Sequence, residues 1–321
     1  PHEMIIIMNI LVTGGIGHIG SHLVREYTKR DDVNLIRIFD NLSTQRYISL
    51  FDLPKQEKMK LEFIEGDITN SVAVEKAMQN IDVVIHLAAI TDAVSTLDNA
   101  QLTFKVNYGG TWIVLWAAIN ANVKRFLYAS TTSVYGEAEG IVDENSSEEI
   151  YKPASPYAEA KRKTEKLIQQ VAQEKNFPAI ILRKGTIFGT SVGMRFHTAI
   201  NKFCYLAAVA KPLVIWDSAF ESKRPYLGLN DCARAYKFFE TNGQAGEIYN
   251  IVTKNFEMKE IIEAIKDIVP DVKMQITKSP LLNQKPYHVA NEKSKQLGFV
   301  YKDDLCQHVK QTIELFKGIT S

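Results

Sequence analysis

Tyr157 and Lys161 are spaced i, i+4, so a helix carrying both presents them on one face. A phenol with a pKa of about 10 is a poor base at neutral pH, but a nearby ammonium favours its anion. Such a pair can take a proton from a hydroxyl while hydride leaves the same carbon. Tyr-x-x-x-Lys also arises by chance on exposed helices, so its context decides. Upstream, Ala129-Ser130-Thr131-Thr132-Ser133-Val134-Tyr135-Gly136 places hydroxyls where a strand ends. One of them can orient an oxygen beside Tyr157; ordinary turn capping is the plainer use of the same residues.

A second constellation lies near the N-terminus. In Asn9 to Gly20, NILVTGGIGHIG, the glycines Gly14, Gly17 and Gly20 follow an apolar run, Ile5–Val12, and lead into Leu23 and Val24 at helical positions. A dinucleotide pyrophosphate needs a turn of this kind, free of Cβ atoms and opening on the N–H groups of a helix. The confirming context is an acid about twenty residues on, at the end of the next strand. Leu35–Phe39 reads as that strand and Asp40 follows it. An acid there hydrogen-bonds both ribose hydroxyls and repels a 2′-phosphate, so NAD is favoured over NADP. Asn41-Leu42-Ser43, with no Arg, comes next. Asp67, in Gly66-Asp67-Ile68, could meet the adenine edge or cap a helix, with Thr69 and Ser71 as competitors for the cap.

These residues need a scaffold, and apolar and amphipathic runs alternate through the first half. Ile5–Val12, Leu35–Phe39, Leu61–Glu65, Val83–Leu87, Phe126–Ala129 and Ile180–Arg183 read as strands. Ile19–Lys29, Val72–Gln79, Leu102–Asn120 and Pro156–Lys175 read as helices, the last opened by a Ser155 cap and Pro156 at its first position. This predicts an α/β fold with a Rossmann-type doubly wound parallel sheet in residues 4–185. Residues 186–321 read as a smaller C-terminal α/β substrate lobe, with about 225–252 returning to the first domain. Helices are expected there at Ala199–Ala210, Met258–Val269 and near Leu305–Phe316, and a strand at Val272–Ile276. Gly136 to Ala154 reads as a loop.

Composition bounds the alternatives. A chain of 321 residues, 45% hydrophobic, can bury a large core, while a net charge of +1 leaves no electrostatic footprint for nucleic acid or an anionic membrane. No apolar run reaches membrane-spanning length, and the first one enters the glycine turn directly, unlike a signal peptide. Pro1-His2-Glu3, ahead of Met4, reads as an appended remnant. Cys204, Cys232 and Cys306 are scattered and odd in number, which fits a reduced, cytoplasmic setting without a metal-ligand cluster. His18 and His22 have metal-compatible spacing, but no third ligand accompanies them. The aromatic-rich segment Phe203 to Trp216 is either a sugar-stacking wall or lobe packing.

Taken together, the chain resembles the extended short-chain dehydrogenase/reductase family, specifically its nucleotide-sugar epimerases and dehydratases. The matching pieces are Thr13 to Gly20, Asp40-Asn41-Leu42, Gly66-Asp67, His86-Leu87-Ala88-Ala89, Val106-Asn107, Ser130 to Gly136, Pro156-Tyr157 with Lys161, Arg224-Pro225-Tyr226 with Asp231, and Tyr249-Asn250. The resemblance implies that Tyr157 is the acid/base, that Lys161 lowers its pKa and holds the nicotinamide ribose, and that Thr131 stands where the family keeps its catalytic Ser or Thr. It implies cofactor contacts from Gly14, Gly17, His18, Ile19, Asp40, Asn41, Asp67, Ile68, Leu87, Ala88, Ala89, Asn107 and Ser130. It places Thr132, Ser133, Thr186, Arg195 and Arg224 toward the substrate. Arg224 lines up with an arginine on the nucleotide diphosphate, which a guanidinium suits; a surface ion pair with Glu221 is the alternative. Three departures bear on the substrate. Thr132 and Ser133 replace the Asp-Glu pair of 4,6-dehydratases, Ile251-Val252-Thr253-Lys254 replaces a Gly-rich turn, and Thr186 stands where many epimerases carry Asn.

The expected activity is therefore NAD-dependent C4 epimerisation of a nucleoside-diphosphate sugar through a 4-keto intermediate. A 4-dehydrogenase or 4-keto reductase is the main alternative, then a 4,6-dehydratase, then a non-catalytic NAD-binding regulatory protein. The resemblance also implies a homodimer, with Leu102–Asn120 and Pro156–Lys175 of two subunits forming a four-helix bundle through residues such as Trp112, Leu115, Trp116, Leu167 and Val171.

Overall fold

A computed structural model describes residues 7–54, 57–91, 95–136, 138–220, 223–278 and 287–319. Its centre is a seven-stranded parallel sheet formed by β1 (Met8–Thr13), β2 (Val33–Asp40), β3 (Lys60–Glu65), β4 (Val83–His86), β5 (Arg125–Thr131), β7 (Ala179–Lys184) and β11 (Ile248–Ile251). The spatial order is β11-β7-β5-β4-β1-β2-β3, so the winding reverses between β1 and β4. A crevice opens at such a reversal beyond the carboxyl ends of the strands. Ile5 and Ile6, the start of the expected first strand, lie outside the described residues.

The sheet strands are apolar nearly throughout because both faces are covered. On one face α1 (His18–Tyr27) and α7 (Leu229–Phe239) pack over Ile10, Ile36, Leu127 and Leu182. On the other, α2 (Ser71–Ala77), α4 (Thr111–Asn120) and α5 (Pro156–Lys175) cover Leu11, Val84, Phe126 and Ile181. Behind α5, Glu165 and Arg183 form a fully buried pair, with Arg183 Nε to Oε1 at 2.8 Å and Nη2 to Oε2 at 2.7 Å. Arg183 also donates to the hydroxyls of Tyr135 and Tyr151, both at 2.9 Å, and so ties β7 to the segment after β5.

The expected helix Leu102–Asn120 is helical throughout but carries a π-helical turn within it. It comprises α3 (Ala100–Phe104), a π-helical turn over Lys105–Gly110, and α4. The widened turn coincides with Gly109-Gly110, where a Cβ on Gly110 would stand 2.6 Å from Ile68 Cδ1. Within the expected loop 136–154, β6 (Gly140–Val142) pairs in parallel with β14 (Tyr287–Val289). The remaining C-terminal elements are β8 (Thr186–Phe188), α6 (Ala199–Ala208), β9 (Leu213–Trp216), β10 (Lys223–Gly228), β12 (Lys254–Glu257), α8 (Met258–Lys266), β13 (Met274–Thr277), α9 (Glu292–Gln296) and α10 (Leu305–Glu314). They include the sheets β12-β10-β8 and β13-β9, and α6, α8 and α10 enclose a separate core around Phe188, Phe203, Ile261 and Val309.

Leu115 and Val171, expected on a subunit interface, are instead buried in the chain's own core. Trp112 and Leu102 remain 47% and 51% exposed.

Candidate active site

The glycine turn is built by contact. Gly14 has φ +69°, and a Cβ there would stand 2.7 Å from the Ala88 nitrogen. A Cβ on Gly20 would stand 2.5 Å from the Gly14 carbonyl oxygen, so the helix can close on the turn only with glycine at that position. Gly17 caps α1 without a side-chain hydrogen bond, and no acidic residue occupies the first turn. The helix thus presents its first N–H groups, and the positive end of its dipole, without a carboxylate of its own.

Ala88 is itself held in place. Thr111 Oγ1 donates to the Asn107 carbonyl at 2.7 Å, so it accepts from His86 Nε2 at 2.9 Å. His86 Nδ1 then accepts from the Thr13 hydroxyl at 2.7 Å, and Thr13 Oγ1 accepts the Ala88 N–H at 3.3 Å. Burial pushes His86 down to about 3, which keeps this neutral tautomer at physiological pH. Asn107, expected at the cofactor, does not line the cavity. Its amide accepts from Ile90 N at 2.8 Å and donates to Ile90 O at 2.9 Å, fixing the segment that does.

The crevice holds a cavity of about 730 Å³. Its walls include Gly14, Gly17, His18, Ile19, Asp40, Asn41, Asp67, Ile68, Leu87, Ala88 and Ala89 at one end. Ser130, Thr131, Thr132, Ser133, Tyr157, Thr186, Arg195 and Arg224 also line it. Asp40 accepts Leu42 N at 3.0 Å and Ile16 N at 3.4 Å, and burial raises its carboxyl above the ordinary range. For Asp67, burial is outweighed by hydrogen bonds from Thr69 and Asn41, and its pKa falls. The cap of α2 is neither Asp67, Thr69 nor Ser71; Asn70 accepts from Ala73 N. His18 Nε2 donates to the Gly189 carbonyl at 2.9 Å, and burial lowers its pKa to about 4. No group of three His, Cys, Asp or Glu suited to a metal occurs among the described residues.

At the other end, Ser155 Oγ accepts Ala158 N and Pro156 opens α5, which sets Tyr157 in the first turn. Burial raises the Tyr157 pKa; a hydrogen bond with Thr131 and the charge of Arg195 offset part of that rise. Thr131 Oγ1 also donates to Ser133 Oγ at 3.1 Å. Lys161 does not line the cavity. It is 2% exposed, donates from Nζ to the Ala129 carbonyl at 2.7 Å, and lies 4.7 Å from the Tyr128 ring centroid and 6.0 Å from that of Tyr157. Burial, with Lys184 nearby, lowers its pKa to about 7. Ser130 lines the cavity, but its hydroxyl donates to the buried Glu165 at 2.5 Å.

Arg195 hydrogen-bonds Thr91 and reaches His197 Nε2 at 3.3 Å. The Arg224 guanidinium lies 5.5 Å from the Tyr287 ring centroid; Glu221, its alternative partner, is outside the described residues. Phe203 and Trp216 line the cavity, and Phe203 also packs in the C-terminal core, as lobe packing predicts. Arg46 and Lys184 line the cavity without having been singled out. The position of Lys184 at the end of a strand was a usable signal. Arg46 reaches the cavity through a loop that the sequence pattern did not locate.

A Cβ-free turn, an open helix N-terminus and an acid at the end of β2 fit a dinucleotide. These features define a dinucleotide-dependent enzyme whose hydroxyl-handling Tyr and Thr share one crevice. The sequence profile described as "NAD dependent epimerase/dehydratase family" matches residues 10–252, and the chain belongs to that family. A dTDP-D-glucose 4,6-dehydratase of Mus musculus is 32% identical over 326 residues, covering 96% of this chain and 88% of that protein. Among solved structures, the UDP-glucuronic acid 4-epimerase of Bacillus cereus with UDP-glucuronic acid and NAD is 28% identical, with a TM-score of 0.85 and coverage of 97% and 99%. The UDP-glucose 4-epimerase of Thermotoga maritima with UDP-glucose is 26% identical, with a TM-score of 0.84 and the same coverage. The enzyme is NAD-dependent, as its family is. Among the described residues, no helix is long and apolar enough to cross a membrane.

Proposed function

We propose that this enzyme epimerises a nucleoside-diphosphate sugar at C4. Residues 4–185 serve as the NAD-binding domain and 186–321 mainly as the substrate lobe, with about 225–252 rejoining the first. Gly14, Gly17, Asp40, Asp67 and the Leu87–Ala89 segment hold the cofactor, while Thr186, Arg195 and Arg224 hold the substrate. Bound NAD supplies the hydride acceptor for C4 and later the hydride donor.

Tyr157, as its anion, takes the proton of the 4-hydroxyl, and Thr131 holds the same oxygen by a hydrogen bond. Burial works against that anion, so Thr131 and the Arg195 charge are what favour it in the ligand-free chain. Lys161 acts from behind, as a positioning residue on the Ala129 carbonyl. The 4-keto sugar then turns in the cavity, and Tyr157 returns the proton to the oxygen on the opposite configuration.

One observation carries the choice of reaction. Thr131 and Tyr157 line one cavity together with Thr132 and Ser133, and the only carboxylates among the described lining residues are Asp40 and Asp67, at the ends of β2 and β3. Elimination of water across C5 and C6 needs an acid/base pair at the sugar, and these two lie on the glycine-turn side. The mouse dehydratase relative keeps 4,6-dehydration as the second reading. A 4-dehydrogenase or 4-keto reductase uses the same groups and stops after one half-reaction. The half-exposed Trp112 supports a homodimer in which the helices Leu102–Asn120 and Pro156–Lys175 of two subunits pack together, and the buried free thiols Cys204 and Cys232 support a cytoplasmic setting.

Incubation with UDP-, GDP- and dTDP-sugars in heavy water, followed by proton NMR and NADH absorbance, tests the proposal. A C4 epimer without accumulated NADH is expected. Loss of the 6-hydroxyl with deuterium uptake would contradict it in favour of the dehydratase, and stoichiometric NADH would identify the dehydrogenase.

A further inference from the structure

The segment after β2 carries a cation whose purpose the fold leaves open. Arg46 is half-buried and lines the cavity, yet its guanidinium makes no hydrogen bond or ion pair with a described residue. The charged groups that bear on it are a second guanidinium that lines the cavity, Arg195, and Asp40. His18 responds to both arginines and is neutral, so it brings no negative charge between them. Two like charges face one small space, and a half-buried fork of five donors is left unused.

This arrangement is held, not loose. Gln45 and Leu42 adopt φ values of +52° and +57°, and Gln45 N donates to Leu42 O at 2.8 Å, which folds the segment back toward the cavity. Ser49 Oγ then donates to the Ile16 carbonyl at 2.8 Å, fastening the short helical turn at Tyr47–Leu50 onto the glycine turn itself. Arg25 Nη1 donates to the Ser49 carbonyl at 2.9 Å and Nη2 to that of Phe51 at 2.7 Å, pinning the same turn to α1. The turn that follows Arg46 is therefore fastened to Ile16 and to α1, and Arg46 itself lines the cavity beside it.

We propose that Arg46 grips the diphosphate of the bound dinucleotide, closing over it from the side opposite the glycine turn. A guanidinium can fork onto phosphate oxygens that the α1 N–H groups approach from below. The competing source of the same chemistry is a ribose 2′-phosphate. Asp40 bears on Arg46 and would repel such a group, while the Ser49 fastening leads to Ile16 and Gly17.

The inference rests on the NAD reading, and its test separates the two. NAD retained through purification is measured in wild type and Arg46→Met, and NAD, ADP-ribose and NADP are titrated calorimetrically into nucleotide-free protein. Loss of a charged hydrogen-bond partner predicts about 10- to 100-fold weaker binding of both NAD and ADP-ribose, less so in high salt. Arg46→Lys, which keeps the charge without the fork, should fall between the two and carries the test if Arg46→Met does not fold. Wild-type affinity for NAD in both variants would overturn the proposal. Weakened NADP binding with unchanged NAD would overturn it too, assigning Arg46 to a 2′-phosphate. Failure of wild type itself to bind NAD would count against the cofactor reading instead.

Discussion

Lys161→Met should make the NAD-free protein more stable while removing its activity. The ammonium is 2% exposed, its hydrogen bond is to one carbonyl, and burial lowers its pKa from 10.5 to about 7. A displacement of that size corresponds to roughly 5 kcal/mol against the charged form in the folded state. The hydrogen bond to Ala129 contributes about 1.5–3 kcal/mol in the other direction, so a net gain of roughly 2–3.5 kcal/mol is expected for methionine. The sign changes with pH in a defined window. Between about 7 and 10.5 the unfolded lysine holds its proton and the folded one does not, so wild-type stability rises with pH there. Below about 7 the cost is complete. Urea denaturation at pH 6 and pH 10 checks this: the variant should lead at pH 6, and the roughly 4 kcal/mol that wild type regains by pH 10 should cancel or reverse that lead. A variant less stable than wild type at pH 6 would refute the view that the buried charge is held at a cost for function.

Other outcomes are equally specific. Tyr157→Phe should lower turnover by about 10²–10⁴-fold or more with melting temperature and NAD content unchanged, read by product NMR and nucleotide extraction. Gly14→Ala puts a Cβ 2.7 Å from the Ala88 nitrogen at φ +69° and should cost at least about 1–2 kcal/mol in denaturant, with loss of bound NAD. Glu165→Gln leaves Arg183 buried without its carboxylate and should lower stability by about 3–5 kcal/mol; a change under 1 would contradict the assigned role of the pair.

The sheet was legible because its strands are short apolar runs between amphipathic helices, and residue type alone reports burial on both faces. The glycine turn and Asp40 were legible because their chemistry depends on fixed spacing. What escaped has a common physical cause, in that it depends on contacts distant in sequence. The π turn at Lys105–Gly110 coincides with a close approach of Gly110 to Ile68, 42 residues away in sequence. Asn107 acts on Ile90 and Ser130 on Glu165, and no local pattern reveals which way a polar side chain turns at a strand or helix end. Shared helical spacing places Lys161 Nζ 6.0 Å from the Tyr157 ring centroid, but it does not reveal that the ammonium also donates to the Ala129 carbonyl. The C-terminal strand β8 is three residues long, too short to show a period.

The central claim is that hydride leaves and returns to one carbon while Tyr157 alternates as base and acid. The most direct test is a nucleotide sugar deuterated at C4, turned over in ordinary water with bound NAD. The account predicts a C4 epimer that keeps its deuterium at C4, with no exchange at C5. Deuterium moved to C6, or solvent hydrogen at C5 with loss of the 6-hydroxyl, would contradict it.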